Sequence, residues 1–483
     1  MVMADIGLIG LAVMGQNLIL NMNDHGFTVA CFNRTVSKVD DFMDGPAKGT
    51  KIIGCKSLKD FVSKLKSPRK IMMMVKAGEA VDDLIGELLP LLQKGDILID
   101  GGNSHFVDTE RRCEELKAKG FLFVGCGVSG GEEGARHGPS MMPGGNVEAW
   151  NAVKEILQTI AAKTDKGEPC ADWLGNGGAG HYVKMVHNGI EYGDIQIICE
   201  AFDMMQRVLD LQEAEMAEIF RNWNKGELDS YLIEIAANVI AYQDVDGKPL
   251  VSKILDTAGA KGTGKWTTES ALEEGMPLSL IGEAVFARSL SALKEERVQL
   301  SKIFKRHPRL FTQDKEEAVD NIRKAVYASK ITSYTQGYML MRAASNHYKW
   351  DLNYGNIALI WQNGCIIRSV FLSKIKEAFD RNSELQNLLC DEFFKNAIIR
   401  SLEGWRKAVT LSIEHGVPTP CFSAAISWFD AMTSDRLPAN LLQGLRDYFG
   451  AHTYERVDKP RGTYFHTDWT GRGGKAASGS YNA

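Results

Sequence analysis

Residues 181–192 concentrate the groups best suited to chemistry: His-Tyr-Val-Lys-Met-Val-His-Asn-Gly-Ile-Glu-Tyr. On a helix, Lys184, His187, Asn188 and Glu191 fall at i, i+3, i+4 and i+7, so they form one polar stripe. Val183, Met185, Val186 and Ile190 occupy the other side. A solvated face with a lysine–glutamate pair is the plainer reading of such a stripe. The apolar neighbours and Gly189, which invites close packing, favour a functional one. Beside a hydride acceptor, a lysine can take the proton of an alcohol while hydride leaves its carbon, provided burial lowers its pKa. Moving that pKa from about 10.4 to about 7.5 costs roughly 4 kcal/mol, at about 1.36 kcal/mol per unit. Glu191 supplies a second proton-transfer group on the same rigid element, which suits a reaction with several proton steps.

A hydride acceptor is indicated near the N-terminus. Gly10, Leu11, Ala12, Val13, Met14 and Gly15 form a Gly-x-Ala-x-x-Gly loop after an apolar run. In a dinucleotide site such a loop brings the pyrophosphate against a helix N-terminus. The next strand ends in Asn33-Arg34-Thr35. A carboxylate there would select NAD, whereas Arg34 can pair with a 2′-phosphate, so NADP is the expected cofactor. Val75-Lys76-Ala77 falls at the ligand-facing end of a later strand. Asp100-Gly101-Gly102-Asn103-Ser104 and Gly127-Val128-Ser129-Gly130-Gly131 are read as two further loops on that edge. Lys261, Thr263 and Arg288 are candidates for a phosphate site, although Arg288 serves equally well as a structural arginine. The Lys261–Lys265 segment lacks P-loop spacing, which excludes ATP binding there.

The elements that must position these groups follow from periodicity. Asp5–Ile9, Phe27–Phe32, Ile71–Val75, Ile97–Ile99 and Leu122–Val124 read as strands alternating with helices, and Gln16–Asp24 is a helix stopped at Gly26. From about Gly175 the pattern is helical, with helices expected at Tyr182–Leu211, Leu278–Phe304, Ile322–Asn346 and Gly355–Arg381. Arg-Ser pairs at Arg288 and Arg368 hint at a duplicated helix. The expected fold is a Rossmann-type α/β N-terminal domain, residues 1–176, then a large all-α domain, residues 177–450, and a C-terminal segment, residues 451–483. The Gly- and Ser-rich stretch from Gly471 to Ala483 reads by default as a flexible tail.

Composition narrows the class. The 483 residues include 56 Lys and Arg against 61 Asp and Glu, a net charge of −5, which argues against general nucleic-acid binding. No membrane-spanning run and no secretory leader are read. The nine scattered cysteines, with no Cys-x-x-Cys, suggest reduced thiols in the cytoplasm. No metal site is expected, since His181 and His187 lack i, i+4 spacing.

With these motifs in order along essentially the whole chain, the sequence resembles the 6-phosphogluconate dehydrogenases, the decarboxylating NADP enzymes of the pentose phosphate pathway and gluconate utilization. Val128–Ala135, Gly180–Asp194, Lys261–Trp266, Gly282–Arg288 and Arg446–His452 carry the resemblance. It implies oxidation of 6-phosphogluconate at C3, loss of CO2 and tautomerisation to ribulose 5-phosphate, without metal. Lys184 matches the family's base and Glu191 the acid that protonates C1. Asn103, Ser129, Gly130, Gly131, His187 and Asn188 match residues around the sugar acid, with Asn103 also beside the cofactor. Tyr192, Lys261, Thr263 and Arg288 match the phosphate site. The resemblance further implies a homodimer in which Arg446 and His452 complete the neighbouring subunit's site. The tail then inserts into the partner and places Ser478, Gly479, Ser480 and Tyr481 at a cofactor. A β-hydroxyacid dehydrogenase that does not decarboxylate is the enzymatic alternative. A non-catalytic NADP-binding protein is the other, although it would need neither Lys184 nor Glu191.

Overall fold

The computed structural model describes residues 3–259, 262–305 and 309–473. The chain divides into two compact units, Met1–Ala425 and Ile426–Ala483. Seven strands of the first unit form one sheet: β1 Ile6–Ile9, β2 Val29–Phe32, β3 Ile53–Gly54, β4 Lys70–Met73, β5 Ile97–Asp100, β6 Leu122–Ser129 and β7 Ser140–Gly145. Their spatial order is β3-β2-β1-β4-β5-β6-β7. β1 to β6 are parallel, and β7 runs antiparallel to β6. β1, β2 and β5 are wholly buried and, apart from Asp100, apolar or glycine, as a sheet covered on both faces requires. One core, including Leu8, Leu18, Val29 and Ile156, lies on one face, and another, including Ile9, Phe61, Ile71 and Phe123, on the other. This is the expected Rossmann-type domain.

Two expectations are corrected here. The strand read at Leu122–Val124 continues to Ser129, so Gly127, Val128 and Ser129 are strand rather than loop. The antiparallel β7 was not expected, because Gly144 and Gly145 have poor strand propensity. These glycines are needed for a different reason. A Cβ on Gly180, at the start of a long helix, would lie 2.5 Å from Gly125 O and 2.6 Å from Gly144 N. Only bare backbone on both sides lets that helix settle onto β6 and β7.

That helix, Ala179–Arg207, is the axis of the all-α part. It packs against Lys315–Tyr348, and the buried pair Lys330–Asp194 joins the two. Asp314 caps the second helix, accepting from Glu316 N at 2.8 Å. The helix expected over Leu278–Phe304 is two, Ser279–Ser291 and Lys294–Ile303. Arg297 Nη2 donates to the Ser291 carbonyl at 2.9 Å and thereby satisfies the break. The helix expected over Gly355–Arg381 is also two, Tyr354–Ile360 and Phe371–Arg381. Between them Gly364, at φ 68°, meets the start of the edge strand β7, and its carbonyl accepts from Ser140 N at 2.7 Å. Arg368 lies in this connection and not on a helix, so the hint of a duplicated helix fails.

In the second unit the helix Ala439–Gly450 carries Arg446, which donates to Gln443 Oε1 at 3.0 Å. The adjacent Asp447 is wholly buried. It accepts from Thr453 N, His466 Nδ1, Thr467 N and Trp469 Nε1, all between 2.8 and 3.0 Å. These donors hold its carboxyl below the usual range. One carboxylate thus organises the turn at His452 and the hairpin of Tyr454–Glu455 with Tyr464–Phe465.

Candidate active site

The C-terminal edge of the parallel strands gathers the glycine loops. Gly10, at φ 111°, crosses directly over the Met74 carbonyl, where a Cβ has no room. The helix Val13–Asp24 opens just beyond, with no side-chain cap and no acidic residue in its first turn. Its first N–H groups are therefore available to an anion. Asn33 braces the loop by accepting from Leu11 N at 3.0 Å. Arg34 is exposed and pairs with the exposed Glu87, at 3.2 Å. Such a pair is worth about 0–1 kcal/mol, so Arg34 is readily redirected to a phosphate. Thr35 and Lys76 are exposed on the same edge, with Val75 and Ala77 half-buried. A Cβ on Gly102 would lie 3.1 Å from Val75 O, which places the Asn103 loop directly beside this segment. These residues fit a phosphorylated dinucleotide.

The stripe of residues 184–191 is helical as expected, and Lys184, His187 and Asn188 are buried. Lys184 Nζ donates to Asn188 Oδ1 at 2.9 Å. Burial lowers the Lys184 pKa from its usual 10.5, against the opposing pull of Glu191. The His187 ring lies 3.1 Å from Asn188 Oδ1 through Nδ1 and 3.3 Å from Ser129 Oγ through Nε2. Burial, reinforced by Lys184, holds His187 well below its usual pKa and hence neutral. Nδ1–H then donates to Asn188, and Nε2 accepts from Ser129. Glu191 Oε2 stands 3.9 Å from His187 Nδ1. Gly130 and Gly131, both at positive φ, turn the chain away from Ser129 into the helix Gly131–His137.

One turn further along, the Arg288 guanidinium stacks 3.4 Å from the centre of the Tyr192 ring and donates to Gly259 O at 3.3 Å. The helix Thr263–Glu273 starts here, with Gly264 against that ring. Its first turn holds no acidic residue, so the helix N-terminus at Thr263 carries no competing carboxylate there. Tyr192 is eight residues from Lys184, about 12 Å along the helix. Lys261, Ser478, Gly479, Ser480 and Tyr481 lie outside the described residues. Arg446 and His452 lie in the second unit.

A role for Gly127 was missed by the sequence reading. A Cβ there would come within 2.8 Å of Lys184 Cγ, so this glycine makes room for the lysine stem. A glycine inside a strand is the available signal for such a close approach.

Comparison with known proteins accords with this geometry. Residues 5–175 match the NAD binding domain of 6-phosphogluconate dehydrogenase, and residues 180–469 match the C-terminal domain of 6-phosphogluconate dehydrogenase. The chain belongs to the 6-phosphogluconate dehydrogenase family. It is 63% identical over 484 residues to the decarboxylating 6-phosphogluconate dehydrogenase of Rattus norvegicus, covering 100% of both chains. It is 59% identical to that of Aggregatibacter actinomycetemcomitans, covering 100% of this chain and 99% of the relative. The 6-phosphogluconate dehydrogenase of Plasmodium falciparum, solved in apo form and with NADP+ or 6-phosphogluconate, superposes with a TM-score of 0.93 at 44% identity. That similarity covers 96% of this chain and 100% of the other. No helix among the described residues is long and apolar enough to cross a membrane.

Within such a site, Gly127→Ala is expected to displace the Lys184 stem. Turnover should fall about 10²-fold, the usual cost of a misplacement near 1 Å. Steady-state kinetics beside a circular-dichroism melt checks this, and unchanged turnover in a folded variant would show that the stem position is not critical.

Proposed function

We propose that this chain oxidises and decarboxylates 6-phosphogluconate to ribulose 5-phosphate and CO2, with NADP as hydride acceptor. The observation that carries this reading is the buried Lys184 with its lowered pKa, set beside Asn188, His187 and Glu191 on one helix. When bound, NADP supplies the acceptor for the C3 hydride. Neutral Lys184 takes the proton of the C3 hydroxyl. The ammonium so formed faces the new carbonyl oxygen and stabilises the negative charge that develops there as CO2 leaves C2. The ammonium gives its proton to that oxygen, which makes the enediol; Glu191 then gives a proton to C1 while Lys184 takes back the hydroxyl proton, which yields the ketose. Asn188 orients Lys184, while neutral His187 and Ser129 present hydrogen-bonding groups to the sugar hydroxyls, together with Asn103 and the Gly130-Gly131 turn. Arg288, Thr263 and Tyr192, with Lys261, hold the phosphate.

We further infer that residues 1–176 serve the cofactor and residues 177–450 the substrate and the partner contact. Residues 451–483 reach into a second copy of the chain, in a cytoplasmic homodimer. Arg446 and His452 of one copy then complete the site of the other, with Ser478, Gly479, Ser480 and Tyr481 near a cofactor. The support is the resemblance together with the helix Ala439–Gly450, which exposes Leu441, Leu442, Leu445 and Phe449 beside Arg446. The "decarboxylating" names of full-length relatives support this reading over a simple β-hydroxyacid dehydrogenase.

The phosphate site offers a direct test of substrate class. NADPH should form from 6-phosphogluconate and hardly at all from gluconate, followed by absorbance. Equal rates with both acids would contradict the reading. Arg34→Ala should weaken NADP about tenfold or more, the loss of a charge-assisted contact, and leave NAD nearly unchanged. Titration of both cofactors checks this, and a parallel fall in both affinities would remove Arg34 from the 2′-phosphate.

A further inference from the structure

Behind the two ligand-facing segments lies a charge network, centred on a buried arginine, that the proposed reaction does not use. Arg112, on the helix Phe106–Ala118, is 1% exposed. Its Nε and Nη2 donate to both oxygens of Asp82 at 2.8 Å, and Nη2 also reaches Gly78 O at 3.0 Å. Its Nη1 reaches Asp100 Oδ2 at 3.4 Å. Gly78 and Asp82 open the helix Glu79–Leu88, which begins directly after Val75-Lys76-Ala77. Asp100 ends β5, and its two oxygens hold the next loop. Oδ1 accepts from Gly102 N at 3.0 Å and Oδ2 from Ser104 Oγ at 2.6 Å, with Asn103 between them. One guanidinium therefore ties the segment that follows the cofactor residues to the carboxylate that shapes the substrate loop. Thr109, one turn earlier on the same helix, meets His181 Nδ1 at 2.7 Å. His181 is one turn before Lys184, so the tie extends to the helix of the reacting groups.

Only an arginine can make this connection. The planar fork engages Asp82 with two parallel bonds and still has donors for Gly78 and Asp100, whereas an ammonium is a point charge. Resting on the functional reading above, we propose that Arg112 is a positioning residue that holds the Val75–Gly78 and Gly101–Ser104 segments in one preformed arrangement, so that NADP and 6-phosphogluconate each meet an ordered site. Without the fork, either ligand must order the edge as it binds and loses affinity accordingly.

The test is calorimetric titration of the whole protein with NADP alone and with 6-phosphogluconate alone, on the native chain, Arg112→Lys and Asp82→Asn. Asp82 is partly exposed, so its variant serves if Arg112→Lys does not fold. Both dissociation constants are expected to rise about tenfold in the variants at unchanged binding stoichiometry. A merely structural role would lower the stoichiometry or the melting temperature and leave both constants unchanged, and that result overturns the proposal. A rise for one ligand alone overturns it as well. A native chain that binds neither ligand contradicts the functional reading itself, which separates that failure from this one.

Discussion

Lys184→Met is expected to lower NADPH formation by about 10³-fold or more, near the upper end of what a positioned general base contributes. In the proposed reaction the variant loses the base for the C3 hydroxyl and also the cation that faces the C3 oxygen during decarboxylation. Methionine fills the buried space beside Gly127 without placing a charge there, so folding should survive. The pH profile supplies the sign. A lysine acts as base only when neutral, and burial lowers the pKa of Lys184 from its usual 10.5. The kcat/KM of the native chain should therefore rise with pH through a midpoint below 10.5, and this limb should be missing from the variant's residual rate. A limb that persists in Lys184→Met would assign the base to another group.

Glu191→Gln should behave differently. Oxidation and decarboxylation precede the proton transfer to C1, so the first turnover should still release NADPH and CO2 at a rate near the native one. The steady state should then slow by about 10²- to 10³-fold, because glutamine has no proton to give to the enediol. Stopped-flow absorbance would show a burst of one NADPH per site followed by a slow phase. Equal losses in burst and steady state would end the division of labour between Lys184 and Glu191. His187 cannot substitute as the acid, since it is held neutral and its Nδ1–H is committed to Asn188.

The polar stripe was legible because a 3.6-residue period turns spacing directly into a shared face, and the structure brings Lys184 and His187 both onto Asn188 Oδ1. The nucleotide loop was legible because its glycines answer a backbone requirement, met here at Gly10 above Met74. The end of β6 was not, because Gly125 fell outside the strand read at Leu122–Val124 and Gly127 inside a loop. They are strand because the helix starting at Ala179 must press against bare backbone, a tertiary demand that local propensity does not record. The crossing at Gly364 was hidden for the same reason, since its bond to Ser140 spans more than two hundred residues. Arg112 reads as one more charge on a helix crowded with Glu, Arg and Lys. Its burial depends on where Asp82 and Asp100 fall in space, which its own helix does not reveal.

In the proposed reaction one buried lysine and one glutamate on a single helix carry an oxidation, a decarboxylation and a protonation without metal. The most direct measurement follows NADPH absorbance and CO2 release together from purified protein, NADP and 6-phosphogluconate in the presence of a chelator. The account predicts equal amounts of NADPH and CO2. NADPH without CO2, or neither product while NADP is bound, would contradict it.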